Sequence, residues 1–155
     1  MNNMALPSSG ALSLNQIQTE FGGSNPISLS EYYSVAGGVP SSGTISINNF
    51  YGTSALTLTT NPANGTDSDL AVGAGNTATA TVSITSNLAV TWSFSLVSGD
   101  SGWVQGSTNS TSTSVSISNG GPTTTKSSVI DVTATIAGVT PVTTRVTITA
   151  SWTSA

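Results

Sequence analysis

Residues 53–155 alternate between apolar and polar side chains with a period of two, and this alternation constrains the fold more than any other sequence feature. In the clearest run, Leu88 to Leu96, every second residue is large and apolar, and the residues between them are Ala, Thr or Ser. The run from Val142 to Trp152 is nearly as regular. Because successive side chains of a β-strand point to opposite faces of the sheet, the pattern predicts strands that bury one face.

Further runs of the same kind complete the set, separated by turn-forming Gly, Pro and Asn residues. They contain Leu56 and Leu58, Leu70 and Val72, Ala80 to Ile84, Val115 and Ile117, and Ile130 to Ile136. About seven short strands, each with one apolar face, are typical of an immunoglobulin-like sandwich. We therefore predict a mainly β protein with an Ig-like antiparallel β-sandwich over residues 53–155, and with Trp92 in its core on a central strand.

Residues 1–52 follow a different pattern, in which a Ser between two apolar residues opens a short unit three times. In each unit a polar side chain follows the Ser at the third position, as in a helix capping box. The pairs are Ser13 with Gln16, Ser28 with Glu31 and, in a weaker version, Ser46 with Asn49. Glycines at 22–23, 37–38 and 52 are expected to end the three turns. The pattern predicts a small irregular module with short Ser-capped helical turns.

Such short turns are marginally stable alone, yet this module holds all three tyrosines and two of the three phenylalanines. Their side chains must pack either on the rest of the chain or on another subunit. We adopt the second interpretation, in which aromatic groups carry most of the binding energy of an interface. The predicted interface residues are Ile17, Phe21, Leu29, Tyr32, Tyr33, Phe50 and Tyr51.

The strings LPSSGALSLNQIQTEFGGSNPISLSEYY (6–33) and VPSSGTISINNFYG (39–52) resemble an N-terminal module found on structural proteins of tailed bacteriophages. In those proteins the module precedes varied C-terminal domains of tail, fibre and other accessory virion proteins. The resemblance covers about the first 52 of 155 residues. It implies a virion protein, made in the host bacterial cytoplasm and present in many copies or as a homo-oligomer.

The resemblance also implies that residues 1–52 dock onto tail, baseplate or capsid subunits and that residues 53–155 are displayed outward. The resemblance is strongest to components of the tail, baseplate or fibre. A capsid decoration protein is the first alternative.

The charge balance argues against two classes of partner. Lys126 and Arg145 are the only strong bases, the six acids give a net charge of −4, and charged residues make up 5% of the chain. Binding to phosphates needs clustered Lys and Arg, so we expect no nucleic-acid partner. No apolar run approaches the roughly 20 residues of a membrane span, and no secretion signal is recognisable, so we expect no membrane partner.

The chain also lacks the side chains that most enzymes and metal sites use. It has no His and no Cys, which removes the commonest general bases, metal ligands and nucleophile partners. We therefore expect a protein that is not an enzyme and needs no cofactor or metal. The one oxygen-rich cluster, Asp67 to Asp69 with Asn61 and Asn64 before it, suggests either a weak Ca²⁺ loop or an Asx-rich turn, and we favour the turn.

Trp103 lies in a turn-rich stretch between Ser98 and Ser107 and outside any clean alternation. An exposed aromatic side chain in a loop is a candidate for binding a protein or a sugar. The alternative is a tryptophan folded over the end of the core. The first interpretation supports a further functional alternative, a carbohydrate-binding or adhesion module acting on a host-surface glycan.

Overall fold

The computed structural model describes residues 5–73, 75–121 and 124–153, and these fall into two compact units. The first unit contains residues 5–56 and the loop 135–141, and the second contains residues 57–134 and 142–153. The boundary between the units thus follows Leu56 rather than Gly52. The loop 135–141, which the prediction placed in the second domain, belongs to the first unit. The outer ends of both predicted domains, residues 1–4 and 154–155, lie outside the described residues.

The described residues are mainly β and include one α-helix, α1 (Leu14–Phe21). The 3₁₀ helices are Leu29–Tyr32, Ile47–Phe50 and Ala63–Gly65. The strands are β1 (Leu58–Asn61), β2 (Thr66–Val72), β3 (Ala78–Ser86), β4 (Thr91–Gly99), β5 (Trp103–Gln105), β6 (Ser112–Asn119), β7 (Thr125–Thr135) and β8 (Val142–Thr153). Within the same residues, no helix has the length and apolar character needed to cross a membrane.

The second unit is a sandwich of two four-stranded sheets, with strand orders β1-β3-β6-β5 and β2-β8-β7-β4. This is the strand arrangement of an immunoglobulin domain whose first strand is divided between the two sheets, so the predicted Ig-like sandwich is confirmed. Two details differ from the prediction. Strand β2 pairs with β8 in parallel, and β5 adds an eighth strand to the described set. With only three residues, β5 is too short to show an alternation in sequence.

The alternation predicted from the sequence builds the core between the sheets. On β3, for example, Ala78, Ala80, Val82 and Ile84 are all buried, and the residues between them are exposed. The other buried members are Ala71, Val115, Ile117, Ile130, Val132, Val146, Ile148, Ala150 and Trp152. Burying these apolar side chains is the main favourable contribution to the stability of this unit.

The core tryptophan is Trp152, not Trp92. The side chain of Trp152 is 7% exposed, and its indole N–H donates to the carbonyl of Asn76 at 2.9 Å. Trp92 is half-buried against the core, and its indole N–H donates to the carbonyl of Asn109. The predicted central position is wrong because β4 lies at the edge of its sheet, and the sheet order cannot be read from the alternation of one strand.

Asp67 and Asp69 lie on β2, where their carboxylates replace a missing neighbouring strand. β1 pairs with β3 only over residues 83–86. Beyond that point the N–H groups of Thr79 and Thr81 donate to Asp69 and Asp67, at 2.7 and 2.8 Å respectively. The two side chains thereby satisfy the backbone where the first strand crosses from one sheet to the other.

The predicted Asx-rich turn is wrong for Asp67 and Asp69, because both residues lie on strand β2 rather than in a turn. Nowhere in residues 5–73, 75–121 and 124–153 do three or more His, Cys, Asp or Glu side chains gather as a metal site would require.

We expect Asp67→Ala to lower the free energy of unfolding of the sandwich by about 1–2 kcal/mol, because it leaves the Thr81 N–H without its charged acceptor. Asp67→Asn keeps an acceptor oxygen and should lose less than half as much. Urea denaturation followed by tryptophan fluorescence measures the effect, since all three tryptophans lie in the second unit. A stability equal to that of the wild type for Asp67→Ala would contradict this role, as would stabilisation of the wild type by Ca²⁺.

The outer face of β7 and β8 carries paired Ser and Thr side chains. Directly opposite residues form hydroxyl–hydroxyl hydrogen bonds of 2.8–3.1 Å. The pairs are Thr125 with Ser151, Ser127 with Thr149, and Thr133 with Thr143. Between them Arg145 donates two hydrogen bonds to Asp131, at 2.7 and 2.8 Å. The hydrogen bonds from Arg145 hold the pKa of the Asp131 carboxyl below its usual value.

A lowered pKa in the folded state means that the pair stabilises the protein above the usual carboxyl pKa, and that this contribution is lost as the pH falls through the folded pKa. We expect an NMR titration to place the pKa of Asp131 below the usual aspartate value of about 3.9. Arg145→Gln should raise the midpoint, whereas Lys126→Gln removes the same charge and should leave it unchanged. Equal midpoints in wild type and Arg145→Gln would show that the pair does not form.

Candidate functional site

The first Ser-capped turn folds as its sequence predicts. The Ser13 hydroxyl accepts a hydrogen bond from the Gln16 N–H at 3.3 Å, and the Gln16 side chain accepts one from the Ser13 N–H at 2.8 Å. This reciprocal capping box starts α1, and Gly22 ends it with a φ of +77°. A positive φ is strained for other residues, which explains the glycine at this end.

The second turn departs from the prediction. The Ser28 hydroxyl accepts a hydrogen bond from the Ser30 N–H, but Glu31 does not complete the box and accepts instead from the Ser24 N–H at 3.3 Å. The 3₁₀ helix ends at Tyr32, well before the glycines at 37–38 that were expected to end it. The box does not close because the Glu31 carboxylate has a competing partner, the Ser24 N–H.

The third turn follows the weaker version of the pattern. The Asn49 side chain accepts a hydrogen bond from the Ser46 N–H at 2.8 Å at the start of the 3₁₀ helix Ile47–Phe50. Gly52 comes just after the end of this helix.

The three turns bring their apolar ends together in a core that belongs to the first unit. Ile17, Tyr32 and Phe50 are 0–1% exposed, and Leu6, Ala36 and Val39 complete the buried set. The rings of Tyr32 and Phe50 meet edge to face with their centroids 6.0 Å apart. The prediction that Ile17, Tyr32 and Phe50 face a partner is therefore wrong. Each turn is too small to bury its own aromatic group, but together the turns enclose all three.

The other predicted interface residues lie at the surface of this core. Phe21, Leu29, Tyr33 and Tyr51 are half-buried, and the Phe21 ring lies 6.2 Å from the Phe50 ring. These four side chains keep part of their area available for contact with another molecule.

Each tyrosine hydroxyl donates a hydrogen bond to the carbonyl of a glycine elsewhere in the module. The pairs are Tyr32 with Gly22, Tyr33 with Gly43, and Tyr51 with Gly10. The hydroxyls of Tyr32 and Tyr51 are 3.1 and 2.6 Å from their acceptors. Burial raises the pKa of the Tyr32 hydroxyl above its ordinary value, and the adjacent Glu31 carboxylate adds to the effect. The tyrosines thus fix the glycine-containing turns to the core.

Backbone hydrogen bonds also join the two ends of the module. The Leu6 N–H donates to the Thr53 carbonyl at 2.8 Å, and the Gly52 N–H donates to the Pro7 carbonyl at 3.0 Å. The Glu20 carboxylate accepts from the Ala55 N–H at 2.8 Å. The loop that completes this unit is attached by the Thr140 N–H, which donates to the Ser34 carbonyl at 2.8 Å.

In the second unit, the strongest candidate surface is the sandwich edge formed by β4 and β5. Both strands lie at the edge of their sheets. We call this surface the β4–β5 edge; it consists of Trp92, Phe94, Leu96, Val97, Trp103 and Val104. Trp92, Phe94 and Trp103 pack half-buried against the core, whereas Leu96, Val97 and Val104 are 39%, 42% and 60% exposed. Apolar side chains exposed together are a common mark of a binding surface.

The prediction that Trp103 lies in a loop is wrong, because Trp103 begins strand β5 and lies opposite Ile117. Its ring packs against the core, 6.0 Å from the Phe94 ring. Leu96 and Val97 were not predicted as site residues. Two consecutive large apolar residues break the alternation of β4, and this break is the sequence signal that could have identified them.

The acidic side chains all make hydrogen bonds within the chain. Five of the six accept hydrogen bonds from backbone N–H groups, and the sixth pairs with Arg145. The five are Glu20, Glu31, Asp67, Asp69 and Asp100, and the sixth is Asp131.

Comparison with known proteins assigns no family. No protein-family model matches the sequence, and no curated protein matches it either. The resemblance described above therefore rests on residues 6–33 and 39–52 alone.

We expect Phe50→Ala to unfold the first unit, because truncation of a fully buried Phe costs about 3–5 kcal/mol and this core is small. Tyr51→Phe removes only the hydroxyl bonded to Gly10, so it should cost about 0.5–1.5 kcal/mol and leave the unit folded. Near-ultraviolet circular dichroism of tyrosine reports on this unit, since it contains all three tyrosines. Persistence of the tyrosine signal in Phe50→Ala, with unchanged protection of Ile17 and Tyr32 amides from exchange, would refute the shared core.

Proposed function

We propose that the protein is a non-enzymatic structural component of a tailed bacteriophage particle, in its tail, baseplate or fibre. The observation that carries the proposal is that the phage-like sequence strings supply most of the buried core of the first unit. The strings that resemble the phage module contain the residues that build the first unit, from the Ser13 capping box to the buried Tyr32 and Phe50. The resemblance thus covers most of the buried core of this unit, apart from Ala36.

In this proposal the first unit docks as a preformed body. Its large apolar groups are already buried, so little conformational entropy is lost when it binds. The half-buried Phe21, Leu29, Tyr33 and Tyr51 are the contact residues that remain of the predicted set. Many copies on a symmetric particle add avidity to contacts that are individually weak.

The sandwich is the displayed part in this proposal. We do not adopt the alternative of a glycan-binding module, because its main support was an exposed loop tryptophan, and Trp103 instead packs on Phe94 and the core.

The proposal is tested with purified particles of the phage that encodes the protein, using an antibody against the full chain. We expect the protein to copurify with particles through a density gradient and to be labelled on the tail in electron micrographs. Labelling of the capsid shell would instead establish a decoration protein. Absence from the particles would overturn the proposal.

A complementation experiment separates the role of the module from that of the whole chain. Particles assembled without the native gene product are supplied with Tyr51→Phe or Phe50→Ala protein. We expect Phe50→Ala to be incorporated about tenfold less or worse, because it unfolds the unit that docks. Tyr51→Phe keeps the ring and the fold and should be incorporated at the wild-type level. Equal incorporation of both variants would show that the first unit is not the attachment module.

A further inference from the structure

Open sheet edges are the places where a β-sandwich most readily accepts another strand, because they present unpaired N–H and C=O groups. The described sandwich has four edge strands, β1, β5, β2 and β4. β1 has four residues and β5 has three, so both are short. β2 carries Asp67 and Asp69, and charged residues on an edge strand discourage pairing.

β4 has none of these protective features. It runs for nine residues, TWSFSLVSG, without a charged residue or a proline. Its end is held firmly against β7, since the Asp100 N–H donates to the Ser127 carbonyl at 2.8 Å and the Asp100 carboxylate accepts from the Ser127 N–H at 2.8 Å. Gly99 permits this approach, because a Cβ there would lie 2.1 Å from the Ser127 carbonyl oxygen. The edge is therefore long, neutral and fixed in position.

We propose that β4 is a self-association edge, on which β4 of a second copy of this chain pairs antiparallel about a two-fold axis. The two four-stranded sheets would then join into one continuous sheet across the axis. The proposal concerns the isolated protein and holds whether or not the virion assignment is correct.

A second copy is the occupant because the side chains of β4 complement themselves. Trp92, Phe94 and Leu96 share one face of the strand, and Ser93, Ser95 and Val97 share the other. Residues directly opposite each other in a sheet point to the same side. A two-fold axis perpendicular to the sheet therefore continues the apolar row of one copy into the apolar row of the other, and does the same for the mostly hydroxyl row.

Both kinds of cross-strand contact already occur within the chain, where the apolar Ile130 lies opposite Val146 on β7 and β8. Hydroxyl pairs such as Thr133 with Thr143 stabilise the outer face of the same sheet. On the inner face, pairing would cover Leu96, which is 39% exposed, and the half-buried Trp92 and Phe94. No like charges would face each other across the axis, because β4 bears none. Isologous contacts of this kind close into a dimer and do not propagate.

Sedimentation velocity over a wide concentration range provides the first test. We expect the wild-type protein to show a reversible equilibrium between monomer and dimer. Ser95→Lys places a charge at the centre of the exposed edge and should weaken the dimer by at least about tenfold, since juxtaposed like charges and edge lysines oppose pairing. Ser83→Lys makes the same change at an exposed position of the interior strand β3 and should alter the dissociation constant by less than about twofold.

The outcomes that overturn the proposal are direct. A wild-type protein that stays monomeric at every concentration sinks it, as does a dimer that Ser95→Lys leaves intact. Both lysine variants lie at exposed positions, and tryptophan fluorescence confirms that each is folded.

Disulfide trapping tests the geometry, and the absence of native cysteine makes the background clean. Single Cys substitutions at Thr91, Ser93, Ser95 and Val97 are oxidised alone and in pairwise mixtures. Opposite residues have Cα atoms about 4.5–5.5 Å apart, within disulfide reach, whereas a residue four places farther along lies roughly 13 Å away. In an antiparallel pair, each step forward along one strand is a step back along the other. A single two-fold arrangement therefore predicts that the two residue numbers of every crosslinked pair add up to the same sum. Crosslinks without a constant sum, or equal crosslinking of a Ser83→Cys control, would refute antiparallel self-pairing.

Discussion

The requirement that buried backbone groups find hydrogen-bond partners shapes both units of this protein. Five of the six acidic side chains accept hydrogen bonds from backbone N–H groups. Two of these N–H groups belong to β3, on the side where β1 no longer pairs with it. The three tyrosine hydroxyls serve backbone carbonyls in the same way. Among the described residues, no buried side-chain nitrogen or oxygen lacks a partner. The acidic side chains and the tyrosine hydroxyls therefore make structural contacts within the chain.

How much of this could be predicted from sequence depends on whether the signal is local. The alternation of strands such as β3 and the Ser13 capping box are local, and both appear as predicted. The Ser28 box failed because Glu31 had a competing partner, the Ser24 N–H, which a spacing rule does not include. Trp103 was misplaced because a three-residue strand gains its pairing from β6 rather than from its own pattern.

The prediction that Ile17, Tyr32 and Phe50 face a partner failed for a different reason. The prediction treated each helical turn in isolation, and a single short turn cannot bury a Tyr or Phe side chain. The fold instead packs Tyr32 from one turn against Phe50 from another. It also joins the ends of the segment through the backbone bonds of Leu6 and Gly52. Closing a loop once allows every later contact to form at a lower entropic cost, so marginal turns become stable as a set.

The two units consequently differ in what they leave exposed. The first unit has completed its core, so only part of half-buried groups such as Phe21 and Tyr51 remains accessible. The sandwich ends at the β4–β5 edge, where apolar side chains such as Leu96 are exposed. Because β4 bears no charge, the pairing proposed for it rests on backbone hydrogen bonds and apolar burial, which salt screens little. We therefore expect that pairing to persist when the ionic strength changes.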